Sequence, residues 1–180
     1  FDSSGFTVTN GTSTFDNFNK SSDTYVAWCW KAGGNKSTYN INDVGYATTT
    51  AAGLTAGTVA LTGASINTKS GFSIITYTGK TGAQTVPHGL GVAPSMIVVK
   101  SRSNGGTDWM VYHSSVGATK TLYLDGTQAA TTTSTPWNDT APTSSVFSLG
   151  TSTDTNSNTY TYVAYCWAEI PGFSKFGSYT

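Results

Sequence analysis

The side chains able to do acid–base or nucleophilic chemistry are few in this 180-residue chain. It has two histidines, His88 and His113, and one glutamate, Glu169, among nine acidic residues. A serine hydrolase needs an activated serine held beside a histidine and a carboxylate. Both histidines and Asp108 are available, but no Gly-x-Ser-x-Gly elbow would present the nucleophile. These residues therefore do not indicate a hydrolase.

Paired carboxylates and metal ligands are also weakly represented. A glycosidase needs two carboxylates at a controlled separation, and most aspartates here lie in Asn-, Ser-, Thr- and Gly-rich stretches that favour Asx turns. No Cys-x-x-Cys or Cys/His cluster indicates zinc. Asp154-Thr155-Asn156 and Asp16-Asn17 offer oxygen ligands for calcium, but no Asp-x-Asp-x-Asp-Gly loop is present. We predict no enzyme activity, no metal and no cofactor.

Three residues in or near polar loops are the candidates for ligand binding. Trp109 and Trp137 are aromatic side chains close to Asn and Asp, an arrangement that suits stacking against the apolar face of a sugar, and Asp154 lies in another such loop. The structural alternative for each tryptophan is a place at the rim of the core with its indole N–H hydrogen-bonded. The sequence leaves both readings open.

The composition indicates a β-rich protein with a neutral surface. Charged residues make up 10% of the chain and aromatic residues 13%. Val, Ile, Thr and aromatic residues favour strands. The net charge is zero and the lysines are scattered singly, whereas nucleic-acid binding needs clustered Lys and Arg. No apolar run approaches the roughly 20 residues of a membrane span. We therefore expect no nucleic-acid partner and no membrane insertion.

Strand patterns recur along the chain and predict an all-β fold with little or no helix. The clearest segments are 71–78, 96–100, 109–113 and 121–125, whereas 47–60 has the least certain structure and 131–142 reads as a polar loop. No window of 11 or more residues holds a helical period. Regularly spaced strands with polar turns predict a β-sandwich or barrel, and the antiparallel β-sandwich is the arrangement we expect. The length suits a single domain over 1–180. The chain starts at Phe1 without a methionine, and we expect a fragment of a longer chain.

One heptapeptide occurs twice, as TYVAWCW at 24–30 and as TYVAYCW at 161–167. The similarity extends to SSGFT at 3–7 and SSVFS at 144–148, which predicts a duplicated hairpin at 1–34 and 144–172. Both faces of the heptapeptide are apolar, so each copy is predicted to be a central strand covered on both sides. Two arrangements follow. The first copy belongs to a preceding unit of a repeat protein, or both copies lie in one sandwich, which is the arrangement we favour.

The repeated heptapeptide also carries the two cysteines, Cys29 and Cys166. Two cysteines are too few for a disulfide framework. The favoured prediction is a pair of buried free thiols, and a single bridge between neighbouring strands is the alternative.

Several long phrases resemble a known family of repeat-bearing domains. They are TYVAWCWKAGG, AAGLTAGTVALTGASINTKSGFSIITYTG, VPHGLGVAPSMIVVKSRS, DWMVYH and YVAYCWAEIPGFSKFGSYT. The resemblance is to virion structural and tail-fibre-like proteins of marine tailed bacteriophages, and it covers nearly the whole chain. It implies a lectin-like or laminin-G-like jelly roll located in the virion, assembled in the bacterial host cytoplasm. It supplies no ligand-binding residues.

The sequence therefore predicts a non-enzymatic virion structural module from a tail fibre, appendage or decoration protein. Its expected partners are other virion subunits, in a homo-oligomer, and a host-surface glycan is a further expected partner. The rival prediction is a carbohydrate-binding module or adhesin that uses Trp109, Trp137 and Asp154. A glycoside hydrolase or lyase rests only on analogy with other sandwiches.

Overall fold

The structure is a computed structural model that describes residues 6–8 and 20–179, and all its regular elements are strands. Eleven strands are found in this part of the chain: β1 (Tyr39–Ile41), β2 (Val44–Tyr46), β3 (Leu61–Asn67), β4 (Phe72–Thr78), β5 (Gln84–Pro87), β6 (Met96–Ser101), β7 (Met110–His113), β8 (Lys120–Tyr123), β9 (Thr131–Thr132), β10 (Val146–Leu149) and β11 (Thr161–Trp167). The predicted all-β fold is confirmed, and four strands follow the four clearest sequence segments.

Nine strands form one sheet in the order β2-β1-β3-β4-β11-β6-β7-β8-β9, and β10 pairs with β5 in a second, two-stranded sheet. Every pairing is antiparallel except that of β1 with β3. β11, the last strand in sequence, lies at the centre of the large sheet, with Ala164 opposite Ile75 of β4 and Val99 of β6. The large sheet is therefore mixed, and its central strand is added by the last part of the chain.

The core lies between the two sheets, which makes the fold sandwich-like. Side chains alternate along β11, with Tyr162, Ala164 and Cys166 fully buried and the residues between them partly exposed. Phe147 and Leu149 of the small sheet belong to the same hydrophobic cluster. Strand alternation thus gives the large sheet an inner face, which packs on the small sheet, and an outer face.

The hairpin between β3 and β4 shows how local sequence sets the register. Asn67 closes the turn with its side-chain oxygen, which accepts hydrogen bonds from the backbone N–H groups of Lys69 and Ser70, each at 3.1 Å. Gly71 has a φ of 66°, a conformation in which residues with a Cβ are strained. A Cβ at this position would also stand 2.6 Å from the carbonyl oxygen of Ala168. Glycine is therefore required here for both reasons.

The predicted hairpin at 144–172 is wrong. β10 pairs with β5 and β11 pairs with β4 and β6, so the two strands lie in different sheets. The segment between them, 150–160, connects the two sheets and is held by Asn156. Its amide donates to the carbonyl oxygens of Gly82 and Gly150 at 2.7 and 2.8 Å. The two strands are therefore joined by a connection between sheets and not by a hairpin turn.

The first heptapeptide also differs from its prediction. Residues 24–30 belong to none of the strands in the described part of the chain, and their side chains are exposed. The prediction of a central strand covered on both sides is therefore wrong for this copy, although it holds for the inner face of β11. Much of the predicted hairpin at 1–34 lies outside the described residues. The single-domain boundary at 1–180 stays a prediction.

Candidate functional site

The outer face of the large sheet carries an apolar groove. Phe72 of β4, Tyr165 and Trp167 of β11, and Met96 and Val98 of β6 form its floor. The groove has a volume of about 770 Å³. The solvated face of an antiparallel sheet usually carries polar side chains, whereas the floor here is apolar and its residues Phe72 and Val98 are buried.

An N-terminal strap, residues 24–34, runs along one side of this groove. Trp28 and Trp30 line the groove while remaining 74% and 48% exposed. The strap is fixed from Lys31 onward, because the Lys31 ammonium pairs with the Asp43 carboxylate at 2.9 Å and the Gly33 N–H donates to Ser65 Oγ at 2.9 Å. The strap therefore places two large indoles on the sheet without burying them.

Three aromatic rings join the strap to the sheet. The ring of Trp30 lies 5.7 Å from that of Trp167 in an edge-on arrangement and 6.1 Å from that of Phe72. Phe72 and Trp167 are themselves 5.1 Å apart. These separations are within the range in which aromatic pairs attract beyond their area burial. The equivalent tryptophans of the two heptapeptides, Trp30 and Trp167, are thus in direct contact.

The C-terminal segment, 168–179, forms the other side of the groove. It turns back at Ile170, which bridges to Ser174, and the N–H of Phe176 donates to Glu169 Oε1 at 2.9 Å. Phe173 and Phe176 line the groove, and the ring of Phe176 contacts that of His113 edge-on at 6.4 Å. The groove is consequently walled by two chain segments that lie outside the sheet.

Of the three predicted binding residues, Trp109 lines the groove and is half-buried. Asp154 does not line it. Its carboxylate accepts hydrogen bonds from Ser152 Oγ at 3.1 Å and from the N–H of Asp108 at 3.3 Å. Asp154 thus links its loop to the residue before Trp109, which is a structural role in a turn. Among the described residues there is no group of three or more His, Cys, Asp or Glu side chains that could hold a metal ion.

Trp137 lies in the core, where its ring is not accessible for stacking against a sugar. It is 2% exposed, and its indole N–H donates to Thr121 Oγ1 at 3.2 Å. Its ring meets that of Tyr112 edge-on at 6.0 Å. The structural alternative, a core tryptophan with its N–H satisfied, describes this residue. Trp137 is buried because its tertiary contacts are with core residues, although its neighbours in the sequence are polar.

The buried histidine, His88, is held by backbone groups. Its Nδ1 accepts from the N–H of Leu90 at 3.2 Å, which leaves Nε2 to donate to the carbonyl oxygen of Thr143 at 3.1 Å. Burial lowers the pKa of His88 from its ordinary value of 6.5, and the hydrogen bond to Thr143 partly offsets this. His88 therefore stays neutral in the fold and ties the start of the 88–94 loop to the segment before β10.

Acid should destabilise the protein through His88. Because its pKa is lower in the folded state, the unfolded chain binds the proton more readily, so the stabilisation is present above pH 6.5 and is lost as the pH falls below it. The free energy of unfolding should fall by up to about 1.4 kcal/mol per pH unit for this one proton. Urea titrations at several pH values measure the slope. His88→Gln should flatten the slope, and an equal slope in the unsubstituted protein and in His88→Gln would contradict the prediction.

The two cysteines occupy opposite environments. Both are free thiols, Cys166 buried and Cys29 exposed, so the prediction of two buried free thiols holds for Cys166 and is wrong for Cys29, and no bridge joins them. Burial raises the pKa of Cys166 to about 12, which makes it unreactive as a nucleophile. The same heptapeptide thus presents one inert and one accessible thiol.

The groove was missed by sequence reasoning, although a signal for it exists. The apolar residues on both faces of the heptapeptide predict cover on both sides of the strand, and on β11 the outer face supplies Tyr165 and Trp167 to the groove floor. The sequence pattern does not show that the first copy of the heptapeptide forms one wall of this groove, whose floor includes residues of the second copy.

Comparison with known proteins gives one match. A family model described as a domain of unknown function (DUF7483) matches residues 1–180. The chain belongs to this family. No curated protein and no solved structure matches it. Within the described residues of this DUF7483 member, no helix has the length and apolar character needed to cross a membrane.

Proposed function

We propose that this domain is a non-enzymatic structural module of a phage virion, in a tail fibre, appendage or decoration protein. The observation that carries the proposal is the aromatic groove on the outer face of the large sheet. Large exposed apolar patches on a folded protein mark surfaces that bind partners. The groove is rimmed by Lys175, Ser174 and Ser70, a mixture of apolar floor and polar edge that is typical of protein interfaces.

The sequence phrases that resemble tail-fibre-like proteins support the same proposal. Most of them lie in elements that build the sheet or its groove: GFSIITYT includes β4, DWMVYH includes β7, and YVAYCWAEIPGFSKF covers β11 from Tyr162 onward and the C-terminal wall. In this role the groove is an assembly contact with a neighbouring unit, the subunits form a homo-oligomer, and the exposed loops are available for host attachment.

Immunogold electron microscopy tests the virion role directly. Antibodies raised against residues 1–180 should label the tail or capsid of particles of the phage whose genome encodes this chain. Unlabelled particles, with the protein found only in the lysed cell fraction, would overturn the proposal. Incubation of the purified protein with common polysaccharides should release no reducing sugar, and robust turnover would likewise contradict it.

A carbohydrate-binding module is the second candidate, because Trp109 lies half-buried in the groove beside Leu124 and Trp28. Ligand sites combine apolar and aromatic walls with a few polar groups. On a glycan array, the candidate requires selective binding that Trp109→Ala reduces at least about tenfold, the loss of roughly 1.4 kcal/mol. Tyr179→Ala is the control, since Tyr179 is exposed and does not line the groove. Binding that both variants retain equally would exclude the groove as the site.

A further inference from the structure

Two N-terminal segments repeat the sequences of the last two strands. Residues 24–30 differ from β11 only at Trp28, where β11 has Tyr165. Residues 3–8, SSGFTV, correspond to 144–149, SSVFSL, so that Phe6 matches Phe147 and Val8 matches Leu149 in β10. The two segments follow each other in the same order along the chain at the N-terminus as at the C-terminus, with 3–8 before 24–30 and 144–149 before 161–167.

The matching side chains have opposite environments. Tyr162, Ala164 and Cys166 form the inner face of β11 and are fully buried, whereas Tyr25, Ala27 and Cys29 are exposed, with Tyr25 at 53%. Phe147 is 1% exposed, and Phe6 is 44% exposed. Residues 24–30 therefore carry the side-chain pattern of a buried strand while being exposed in this chain, and Phe6 differs from Phe147 in the same way.

The surroundings that bury these side chains in the last two strands are specific. β11 is enclosed by β4 on one side and β6 on the other, and β10 pairs with β5. In this chain β4 is already paired on both edges, with β3 and β11, and β6 with β11 and β7. No place between such strands remains for a second copy of β11. Burial of segment 24–30 in the manner of β11 therefore requires a second pair of strands equivalent to β4 and β6.

We infer that residues 24–30 are the closing strand of a preceding unit with this same fold, and that the sequence match at 3–8 marks the counterpart of β10 in that unit. In each unit β4 and β6 come before β11 in the sequence, so the unit that segment 24–30 completes precedes this unit in the same polypeptide. Trp30 already rests on Phe72 and Trp167. The preceding unit then lies over the outer face of this one, and the aromatic groove is the interface between consecutive units.

This inference does not depend on the virion role, since stacked units of one fold occur in any repeat protein. Of the two arrangements that the sequence allows, it selects the one in which the first heptapeptide belongs to a preceding unit. The arrangement favoured by the sequence, with both copies in one sandwich, is the one it rejects. The family match spans both copies and does not separate the two arrangements.

A tandem protein provides the test. Residues 35–143 are joined directly ahead of residues 3–180, so that Ser3 takes the place of Ser144 and 3–34 can complete a first unit. The rate of thiol labelling at each cysteine is measured by mass spectrometry in the 1–180 chain and in the tandem. In the 1–180 chain Cys29 should react and Cys166 should be protected. In the tandem Cys29 should slow at least about 100-fold, as expected when labelling requires an unfolding event.

Ala27→Asp supplies the matched control, because a carboxylate cannot be accommodated in the place that Ala164 takes in β11. In the tandem this substitution should restore fast labelling of Cys29, and in the 1–180 chain it should change neither labelling nor thermal midpoint. Cys29 that labels equally fast in the tandem and in the 1–180 chain overturns the inference. Protection of Cys29 in the 1–180 chain only at concentrations where sedimentation shows a dimer also overturns it, since the strand is then received by a second copy.

Discussion

Ala164→Asp should prevent the protein from folding, whereas Ala27→Asp, the same change at the equivalent position of the first heptapeptide, should leave stability unchanged. Ala164 is fully buried at the centre of β11, opposite Ile75 and Val99. Burying an unpaired carboxylate there costs several kcal/mol, which is comparable to the total stability of about 5–15 kcal/mol for a domain. Ala27 is exposed, and substitutions at such positions stay within about 0.5 kcal/mol.

Circular dichroism and urea titration of both variants measure this difference. Ala164→Gly is a further control, because it removes a methyl group without adding charge and should remain folded with reduced stability. If Ala27→Asp destabilised the 1–180 chain as strongly as Ala164→Asp, the first heptapeptide would be a core strand of this unit. That outcome would contradict the structure and with it the inference of a preceding unit.

Trp137→Ala should lower the free energy of unfolding by about 3–5 kcal/mol, the range for removing a large buried aromatic side chain. The substitution leaves a cavity beside Tyr112 and removes the donor that Thr121 Oγ1 accepts from. Trp28→Ala removes an equally large side chain from an exposed position in the strap, and its effect should stay within about 0.5 kcal/mol.

Urea titrations followed by tyrosine and tryptophan fluorescence give both values, with the slope of the transition as a check that each variant unfolds in the same way. A stability loss below about 1 kcal/mol for Trp137→Ala would mean that its ring is not an integral part of the core.

Local patterns in the sequence were enough to predict several strands. Residues 72–78 and 96–101 are rich in β-branched and aromatic residues and are bounded by turn residues, and both form strands near the centre of the large sheet. Their strong preference for the strand conformation comes from side chains that suit a pleated, buried surface. Strand pairing is harder to predict from the sequence. The segments of β10 and β11 have the pattern of a hairpin, and yet the two strands join different sheets.

The candidate site shows the same division. Trp109 and Trp137 both stand near polar residues in the sequence, and only contacts with distant residues place Trp109 in the groove and Trp137 against Tyr112 and Thr121. Burial of a tryptophan depends on which remote strands converge on it, and a single sequence does not contain that information in its local pattern.

The sequence by itself determined that this protein is all-β, because the strand-forming residues and their alternation are local properties of the chain. It also revealed the repeated heptapeptide. Only the tertiary structure decided what each copy does, since burial depends on neighbours: 161–167 lies between β4 and β6, while 24–30 has no such place and remains exposed. One apolar heptapeptide is therefore a central strand at one position and an exposed strap over an aromatic groove at the other.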